Sequence, residues 1–183
     1  MTNTLKQYDE VTQKCRDVFL AKLYDYGTAW RILRPSSLTD QIFIKAQRIK
    51  TIEEKGFSNV NEGIMPDFIG IVNYSVMALI QLELGSDFEI NMKPDKALAL
   101  YDSYIEKSKK LMESKNSDYG EAWKKMRIES LVDIILMKIF RIKQIEDNKG
   151  KTIASEGIDA NYFDILNYAI FSLINLNESN DMK

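Results

Sequence analysis

One pattern of residues occurs twice in this chain, and the duplication constrains the fold more than any other feature. Asp25-Tyr26-Gly27 recurs 93 positions later as Asp118-Tyr119-Gly120. A period of that length is the size of a small domain and is far longer than the repeat of a solenoid. We therefore expect two similar halves that pack face to face, like a dimer fused into one chain. The other residues that recur at the same spacing are Lys22, Ala29, Trp30, Arg34, Ser37, Leu38, Asp40, Ile42, Lys45, Arg48, Ile49 and Lys50.

The match continues after an insertion of one residue in the second copy. Glu62-Gly63-Ile64 then corresponds to Glu156-Gly157-Ile158, and Asn73-Tyr74 corresponds to Asn167-Tyr168. These boundaries divide the chain into a first repeat, a charged linker, a second repeat and a polar tail. The predicted ranges are 1–84, 85–93, 94–176 and 177–183.

Helical periodicity predicts an all-α fold in which the two repeats form a pseudo-twofold helical bundle. Apolar residues step at three and four, and no segment alternates over the length of a strand. We expect Pro35 to end a short turn and Ser36 or Ser37 to cap the helix that follows. The helices that contain Asn73 and Asn167 are apolar nearly all round, which places them in the centre of the molecule.

Composition excludes several classes of function. A net charge of −2 offers no basic face for duplex nucleic acid. The single cysteine, Cys15, excludes an internal disulfide and fits a reducing compartment, although a plain core thiol explains it equally. No apolar run approaches the ~18 residues of a membrane span. We expect a cytoplasmic protein without a membrane partner, with a homodimer as one possible assembly.

The chain contains no histidine, which limits the chemistry available to it. The usual general base, the commonest transition-metal ligand and the histidine-based nucleophilic triads are all excluded. Any catalysis must rely on carboxylates, lysine, arginine, tyrosine and an oxygen-bound metal ion.

Polar residues interrupt the apolar helix of the second repeat. At 100° per residue, Glu156, Asp164 and Asn167 fall within a sector of about 80°. Such a stripe suits Mg²⁺, which prefers oxygen ligands and is often shared with a substrate phosphate. We predict Glu156, Asp164 and Asp133 as metal ligands. The first repeat has Gly70 at the position of Asp164, so we expect its site to be a pocket wall or a degenerate copy.

A basic pair recurs in both copies and can grip a phosphate. Lys138 with Arg141, and Lys45 with Arg48, share a helix face at i and i+3. A solvated face with ordinary ion pairs is the alternative. Asn167 and Asn73 either orient a ligand or form an interhelical hydrogen bond across the pseudo-twofold.

Aromatic residues next to the repeated Asp-Tyr-Gly motif offer a stacking surface. Tyr26, Tyr119 and the neighbouring tryptophans can stack a base, or serve as helix caps and core instead. We assign Tyr119 to substrate binding together with the basic pairs and the two asparagines.

These motifs together resemble the first type of nucleotide modification associated domain. The resemblance rests on Lys-x-x-Asp-Tyr-Gly-x-Ala-Trp, Asp-x-x-x-x-Lys-x-x-Arg-Ile, Glu-Gly-Ile and Asp-x-x-Asn-Tyr, and it covers both repeats. It implies a nucleotide-related role, and its signature positions here include Asp118, Asp133, Lys138, Arg141, Glu156, Asp164, Asn167 and Tyr168.

A more distant likeness is to the all-α nucleoside triphosphate pyrophosphatases of the MazG and dimeric dUTPase type. The chain lacks their Glu-x-x-Glu, for which Glu53-Glu54 and Glu146-Asp147 are loose substitutes.

Two hypotheses follow. The first is a nucleotide-directed protein, either an Mg²⁺-dependent phosphoanhydride hydrolase or an accessory factor in nucleotide modification. The second is a non-catalytic helical scaffold or regulatory module, in which the same polar residues form an internal network.

Overall fold

The computed structural model describes residues 2–56, 63–87, 92–154 and 156–181. Over these ranges the chain forms six α-helices and two short 3-10 helices and contains no strand, which confirms the predicted all-α fold. The first repeat consists of α1 (Thr2–Tyr26), the 3-10 helix Ala29–Ile32, α2 (Pro35–Lys55) and α3 (Met65–Leu84). The second consists of α4 (Pro94–Tyr119), the 3-10 helix Ala122–Lys125, α5 (Ile128–Asp147) and α6 (Ile158–Asp181).

The two apolar helices α3 and α6 pack against each other at the centre of the molecule. Helix α2 covers α3, α5 covers α6, and α2 and α5 also touch each other. Helices α1 and α4 each contact both central helices and close the opposite side. The repeats therefore share one hydrophobic core, as expected for a fused dimer.

Two matched hydrogen bonds between the repeats establish the pseudo-twofold relationship. The Tyr8 hydroxyl donates to Oδ1 of Asn167 at 3.0 Å, and the Tyr101 hydroxyl donates to Oδ1 of Asn73 at 2.7 Å. Tyr101 lies 93 positions after Tyr8, and Asn167 lies 94 positions after Asn73. Each bond therefore joins equivalent positions in opposite repeats, which is the symmetry that the duplication predicts.

The surface ion pairs that join the described parts of the two repeats follow the same symmetry. Each pair joins an acidic residue of one repeat to a basic residue of the other, and the pairs occur as two symmetry-related sets. The α1–α4 set is Arg16–Asp102 and Lys109–Asp9, both at 2.7 Å, and the α2–α5 set is Lys50–Asp133 at 3.1 Å and Lys143–Asp40 at 2.6 Å.

The helix ends agree with the sequence in some places and correct it in others. Gly27 closes α1 with a φ of +63° and donates its N–H to the carbonyl of Leu23, as predicted. The predicted serine cap of α2 is wrong: Pro35 is the first residue of α2 and does not stop the preceding turn. A proline at this position loses no helical hydrogen bond, because the first N–H groups have no partner in any helix. Helix α6 continues past the predicted end at Leu176 to Asp181.

Helix α3 is long and apolar enough, by length and composition, to cross a membrane. This finding corrects the prediction that no apolar run approaches the length of a membrane span. In the structure 67% of this segment is buried, as in the core helix of a soluble protein. The cysteine and the two tryptophans also belong to the core: Cys15 is fully buried and unpaired, and Trp30 and Trp123 are 8% and 6% exposed.

Candidate functional site

A buried carboxylate held by two lysines lies at the centre of the second repeat. Asp164 on α6 accepts hydrogen bonds from Lys115 on α4 at 2.7 Å and from Lys138 on α5 at 2.6 Å. All three helices of the repeat therefore meet at this aspartate. Only 10% of its side chain is exposed, against 49% for Lys115.

Electrostatics favour the ionised state of this cluster. Burial alone would raise the pKa of Asp164, but the hydrogen bonds from Lys115 and Lys138 outweigh it and hold the pKa below its usual value. Burial opposes the charge on Lys115, yet the contact with Asp164 raises the pKa of that lysine. The pair therefore stays charged at neutral pH.

The first repeat moves its carboxylate by one helical turn. Gly70 stands where the second repeat has Asp164, and Asp67 supplies the buried carboxylate instead, at 2% exposure. Asp67 accepts hydrogen bonds from Lys45 at 3.2 Å and from Arg48. A Cβ atom added at Gly70 would lie 3.2 Å from Cε of Lys45, so the lysine stem runs directly over this glycine.

Because the buried carboxylate stands one turn earlier in the first repeat, a different basic residue is without a described acidic partner in each repeat. In the first repeat the equivalent of Lys115 is Lys22, which is exposed and forms no ion pair with a described residue. In the second repeat Asn161 replaces Asp67, and Arg141 is left exposed without a described acidic partner. Lys22 in the first repeat and Arg141 in the second thus each present a positive charge without a described acidic partner, an arrangement that attracts anions.

The first repeat contains a cleft next to its lysines. Its volume is about 220 Å³. Aromatic and aliphatic side chains form most of the wall, and two lysines and the Asp-Tyr-Gly turn form the polar rim. The residues that define this first-repeat cleft include Phe19, Lys22, Tyr26, Gly27, Trp30, Lys45, Gly70, Asn73, Tyr74 and Met77.

The two tryptophans differ in the side chains that contact their rings. Trp123 donates from Nε1 to Asn116 at 3.2 Å and stacks on Phe171 with ring centroids 4.1 Å apart and an interplanar angle of 8°. The corresponding residues in the first repeat are Leu23 and Met77. Trp30 therefore lacks both the amide acceptor and the stacked ring.

The indole N–H of Trp30 therefore has no hydrogen-bond acceptor among the described residues. Its Nε1 is buried and forms no hydrogen bond, although Trp30 lines the first-repeat cleft. A buried donor without an acceptor costs roughly 1–3 kcal/mol. This nitrogen has almost no accessible surface, so the cleft exposes part of the ring and not the N–H.

The second repeat offers open grooves around its predicted site. Lys138, Arg141 and Glu156 line one groove of about 700 Å³ together with Lys151. Glu156 also lines an adjoining groove of about 330 Å³ with Lys115 and Asp164. The structure thus gathers four predicted residues, Lys138, Arg141, Glu156 and Asp164, into one region.

Other predicted residues lie elsewhere. Asp133 pairs with Lys50 in the α2–α5 ion-pair set, and Tyr119 is 79% exposed and lines none of the clefts described above. Asn73 and Asn167 are 6% exposed and form the bonds across the pseudo-twofold, although Asn73 also lines the first-repeat cleft. Glu62, the counterpart of Glu156, lies outside the described residues.

The predicted Mg²⁺ ligands can be tested against these positions. Both oxygens of Asp164 accept from lysines, and Asp133 belongs to a different contact. No group of three or more metal-binding side chains occurs in the described part of the chain. This donor set does not fit an ion held by the protein alone, and Mg²⁺ binding by Glu156, Asp164 and Asp133 stays a prediction.

Sequence reasoning missed Lys22 and Lys115 as site residues, although both belong to the duplicated pattern. Their recurrence beside Asp-Tyr-Gly was the available signal. Sequence reasoning also treated Gly70 only as the loss of a carboxylate. The sequence does not show which side chain packs over a glycine, so the contact with Lys45 could not be predicted.

Comparison with known proteins agrees with the duplication. The family model described as nucleotide modification associated domain 1 matches residues 22–82 and 115–176. No curated protein and no solved structure matches the chain. The two matched segments together span more than half of the sequence and coincide with the two repeats. The chain therefore belongs to the nucleotide modification associated domain 1 family and carries the family's domain twice.

Proposed function

We propose that this protein binds a nucleotide in the first-repeat cleft and acts as a non-catalytic accessory factor in nucleotide modification. The observation that carries the proposal is the cleft itself: it joins an aromatic wall to lysines from which one carboxylate is missing. Family membership supplies the nucleotide context, and the cleft supplies a place and a chemistry for binding.

The wall of the cleft suits a planar base. Trp30 and Tyr74 present aromatic surface, and Tyr26, 59% exposed, stands at the rim. Stacking of a base on such side chains contributes about 1–3 kcal/mol per base and tolerates different bases.

The rim of the cleft suits phosphate. Lys22 forms no ion pair with a described residue, and Lys45 shares Asp67 with Arg48. The positive charge of Lys22 is therefore available to an anion. Hydrogen bonds to charged groups typically contribute about 1.5–3 kcal/mol, enough to change affinity by a factor of about ten or more.

The size of the cleft limits how much of the ligand is enclosed. Its 220 Å³ is below the roughly 300–1,000 Å³ of sites that enclose drug-sized molecules. One base fits inside, while the phosphates extend past Lys22 and Tyr26, which are both exposed.

Binding accounts for the geometry better than hydrolysis does. Asp67 and Asp164 each accept hydrogen bonds from two cations, which makes them poor general bases. The chain has no histidine to replace them. A role in recognition requires only the charge and the aromatic wall.

The test is a binding titration of the full chain with nucleosides and with nucleoside mono-, di- and triphosphates. Because the protein has two tryptophans, Trp123→Phe leaves Trp30 as the only indole reporter. Nucleotides should change the fluorescence of this variant, and calorimetry of the wild type should give the affinity. Free nucleosides should bind more weakly than their phosphates.

The Lys22→Gln variant should weaken nucleotide binding about tenfold or more. Lys110→Gln is the matched control, because Lys110 is exposed and its one ion pair with a described residue is with Glu106, one turn away. Absence of binding by every nucleotide would favour the scaffold hypothesis. Equal affinity in Lys22→Gln and wild type would place binding outside the first-repeat cleft.

A further inference from the structure

Helices α2 and α5 carry exposed apolar side chains on the outer face that they form together. Ile44, Met137 and Phe140 are each at least 42% exposed. Phe43 joins them, since its ring packs edge-on against Phe140 with centroids 6.0 Å apart. None of these four residues lines a cleft described above. A contiguous exposed apolar patch outside any ligand cleft is typical of a surface that contacts another protein.

We infer that these four residues, here called the α2–α5 patch, are the contact surface for a second copy of the chain. The two copies are related by a twofold axis that lies in the plane between their outer faces. The inference is independent of nucleotide binding, because the first-repeat cleft contains none of these residues. It adds a second level of association to the fused dimer that the repeats already form.

The charged residues around the patch alternate in sign. The start of each helix pairs with the end of the other, Asp40 with Lys143 and Asp133 with Lys50, so α2 and α5 are antiparallel. On each helix the acid and the base are ten residues apart, about 15 Å, with the patch between them. Nζ of Lys143 lies 4.9 Å from the centre of the Phe43 ring, so the charges adjoin the patch directly. Like charges therefore occupy opposite corners of a rectangle.

This pattern of charges complements itself. When the twofold axis runs across the helices, Asp40 faces Lys50 of the second copy. When it runs along the helices, Asp40 faces Lys143 of the second copy instead, and Asp133 meets a lysine in both cases. Such complementarity fixes the orientation of a complex more than its affinity. An unrelated partner would need a matching pattern of its own, whereas a second copy supplies it by symmetry.

Other exposed acidic residues lie outside this rectangle. They stand four residues beyond its corners, about 6 Å farther along each helix, where two crossing pairs of helices diverge. These residues are Glu54, Glu129 and Asp147. Their distance from the centre keeps them from opposing the contact at the patch.

The outer face of α2 and α5 is large enough for a reversible dimer. The helices contain 21 and 20 residues, so side by side they form a face about 30 Å long and about 20 Å wide. Two copies would cover roughly 1,200 Å² in total, which is the lower end of the range for specific interfaces. We therefore expect a dimer that dissociates on dilution.

The first repeat provides the substitution that tests the patch. Gln47 occupies the position that Phe140 has in the second repeat, so Phe140→Gln introduces a side chain that the fold already accepts there. In sedimentation equilibrium of the full chain, wild type should approach twice the mass of one chain as its concentration rises. Phe140→Gln should raise the dissociation constant of the dimer about tenfold or more. Leu20→Gln is the matched control, because Leu20 is also exposed but lies on α1, and it should dimerise like wild type.

Two further variants test the charges without removing apolar surface. Asp40→Lys/Asp133→Lys makes all four corners positive, and Lys50→Glu/Lys143→Glu makes them all negative. Each variant alone should dissociate about tenfold more readily than wild type, because like charges then face each other. An equimolar mixture of the two should form dimers again, whichever way the twofold axis runs.

Three results would overturn the inference. The first is a wild type that stays monomeric up to roughly 1 mM, where even weak complexes form. The second is equal dimerisation of Phe140→Gln and wild type, which would place the contact elsewhere. The third is a mixture of the charge variants that stays monomeric, because a self-complementary pattern requires that they pair. None of these results bears on nucleotide binding, which the titration with nucleotides tests separately.

Discussion

Tyr8 of the first repeat donates its hydroxyl to Asn167 of the second across 3.0 Å of buried core. The reciprocal bond from Tyr101 to Asn73 has no second donor to support it. Asn167 also accepts from Ser108, whereas the residue at the position of Ser108 in the first repeat is Cys15. Asn73 therefore depends on its tyrosine for a hydrogen bond to Oδ1 more than Asn167 does.

Removal of the Tyr101 hydroxyl should consequently cost more stability than removal of the Tyr8 hydroxyl. Tyr101→Phe leaves Oδ1 of Asn73 buried without a donor, at a cost of roughly 1–3 kcal/mol, whereas Tyr8→Phe leaves Ser108 in place and costs about 1 kcal/mol. Denaturant unfolding measures both. Cys15→Ser should partly rescue Tyr101→Phe, and equal costs without rescue would contradict this account.

The fold was predictable because two sequence features agree. The duplication predicts two equivalent halves, and the helical period predicts that both are built from helices. The positions of Asn73 and Asn167 in otherwise apolar helices indicated central helices with an interhelical hydrogen bond. The tyrosine partners were not predictable, because nothing in the sequence says that α1 of one repeat packs on the central helix of the other. Pro35 was misread because a proline can end one element or begin the next.

The site was only partly predictable for a related reason. Lys138, Arg141, Glu156 and Asp164 do lie in one region, but their spacing does not reveal that two lysines already hold Asp164. The cleft in the first repeat depends on three differences, at Leu23, Gly70 and Met77. A sequence shows each difference separately, and only packing shows that these three residues line the same cleft as Trp30.

Glu53 should make the stability of the protein depend on pH near neutrality. Burial raises the pKa of Glu53, and the negative charges of Glu129 and Asp133 raise it further, to about 7. An acid with a raised pKa in the folded state contributes stability that is complete below its unfolded pKa of about 4.3 and is lost as pH rises through 7. Glu53→Gln removes this dependence and should be more stable than wild type at pH 8.

Thermal unfolding from pH 4 to pH 8 measures that difference. The gain at pH 8 should be a few degrees, since about 1 kcal/mol corresponds to about 2–4 °C for a chain of this length. It should shrink strongly at pH 4, where Glu53 is mostly protonated in both states. Glu54→Gln, at the exposed neighbouring position, is the control and should change little. A gain that is equal at both pH values would rule out titration of Glu53 as the cause.

Asp164→Asn should destabilise the protein, with the opposite dependence on pH. The contacts with Lys115 and Lys138 lower the pKa of Asp164, so its contribution is present above the unfolded pKa of about 3.9 and is lost as pH falls through the lower folded value. At pH 7 the loss should be roughly 1–3 kcal/mol, because two lysines lose a charged acceptor. Denaturant unfolding at pH 7 and pH 3 should show a difference that shrinks in acid. Glu156→Gln, at an exposed position, should leave stability nearly unchanged at both.

Removal of divalent metal should leave nucleotide binding largely intact. Lys22 and Lys45 already supply positive charge at the first-repeat cleft, so the phosphates do not require a protein-held cation. Calorimetry with a nucleoside triphosphate should therefore give affinities within about threefold in EDTA and in Mg²⁺, a difference well below 1 kcal/mol. The contrary result is specific: if EDTA abolishes binding and Asp164→Asn does the same, the nucleotide is held through a metal at Asp164 and Glu156. If EDTA abolishes binding while Asp164→Asn binds normally, the metal travels with the phosphates and Asp164 plays no part in holding it.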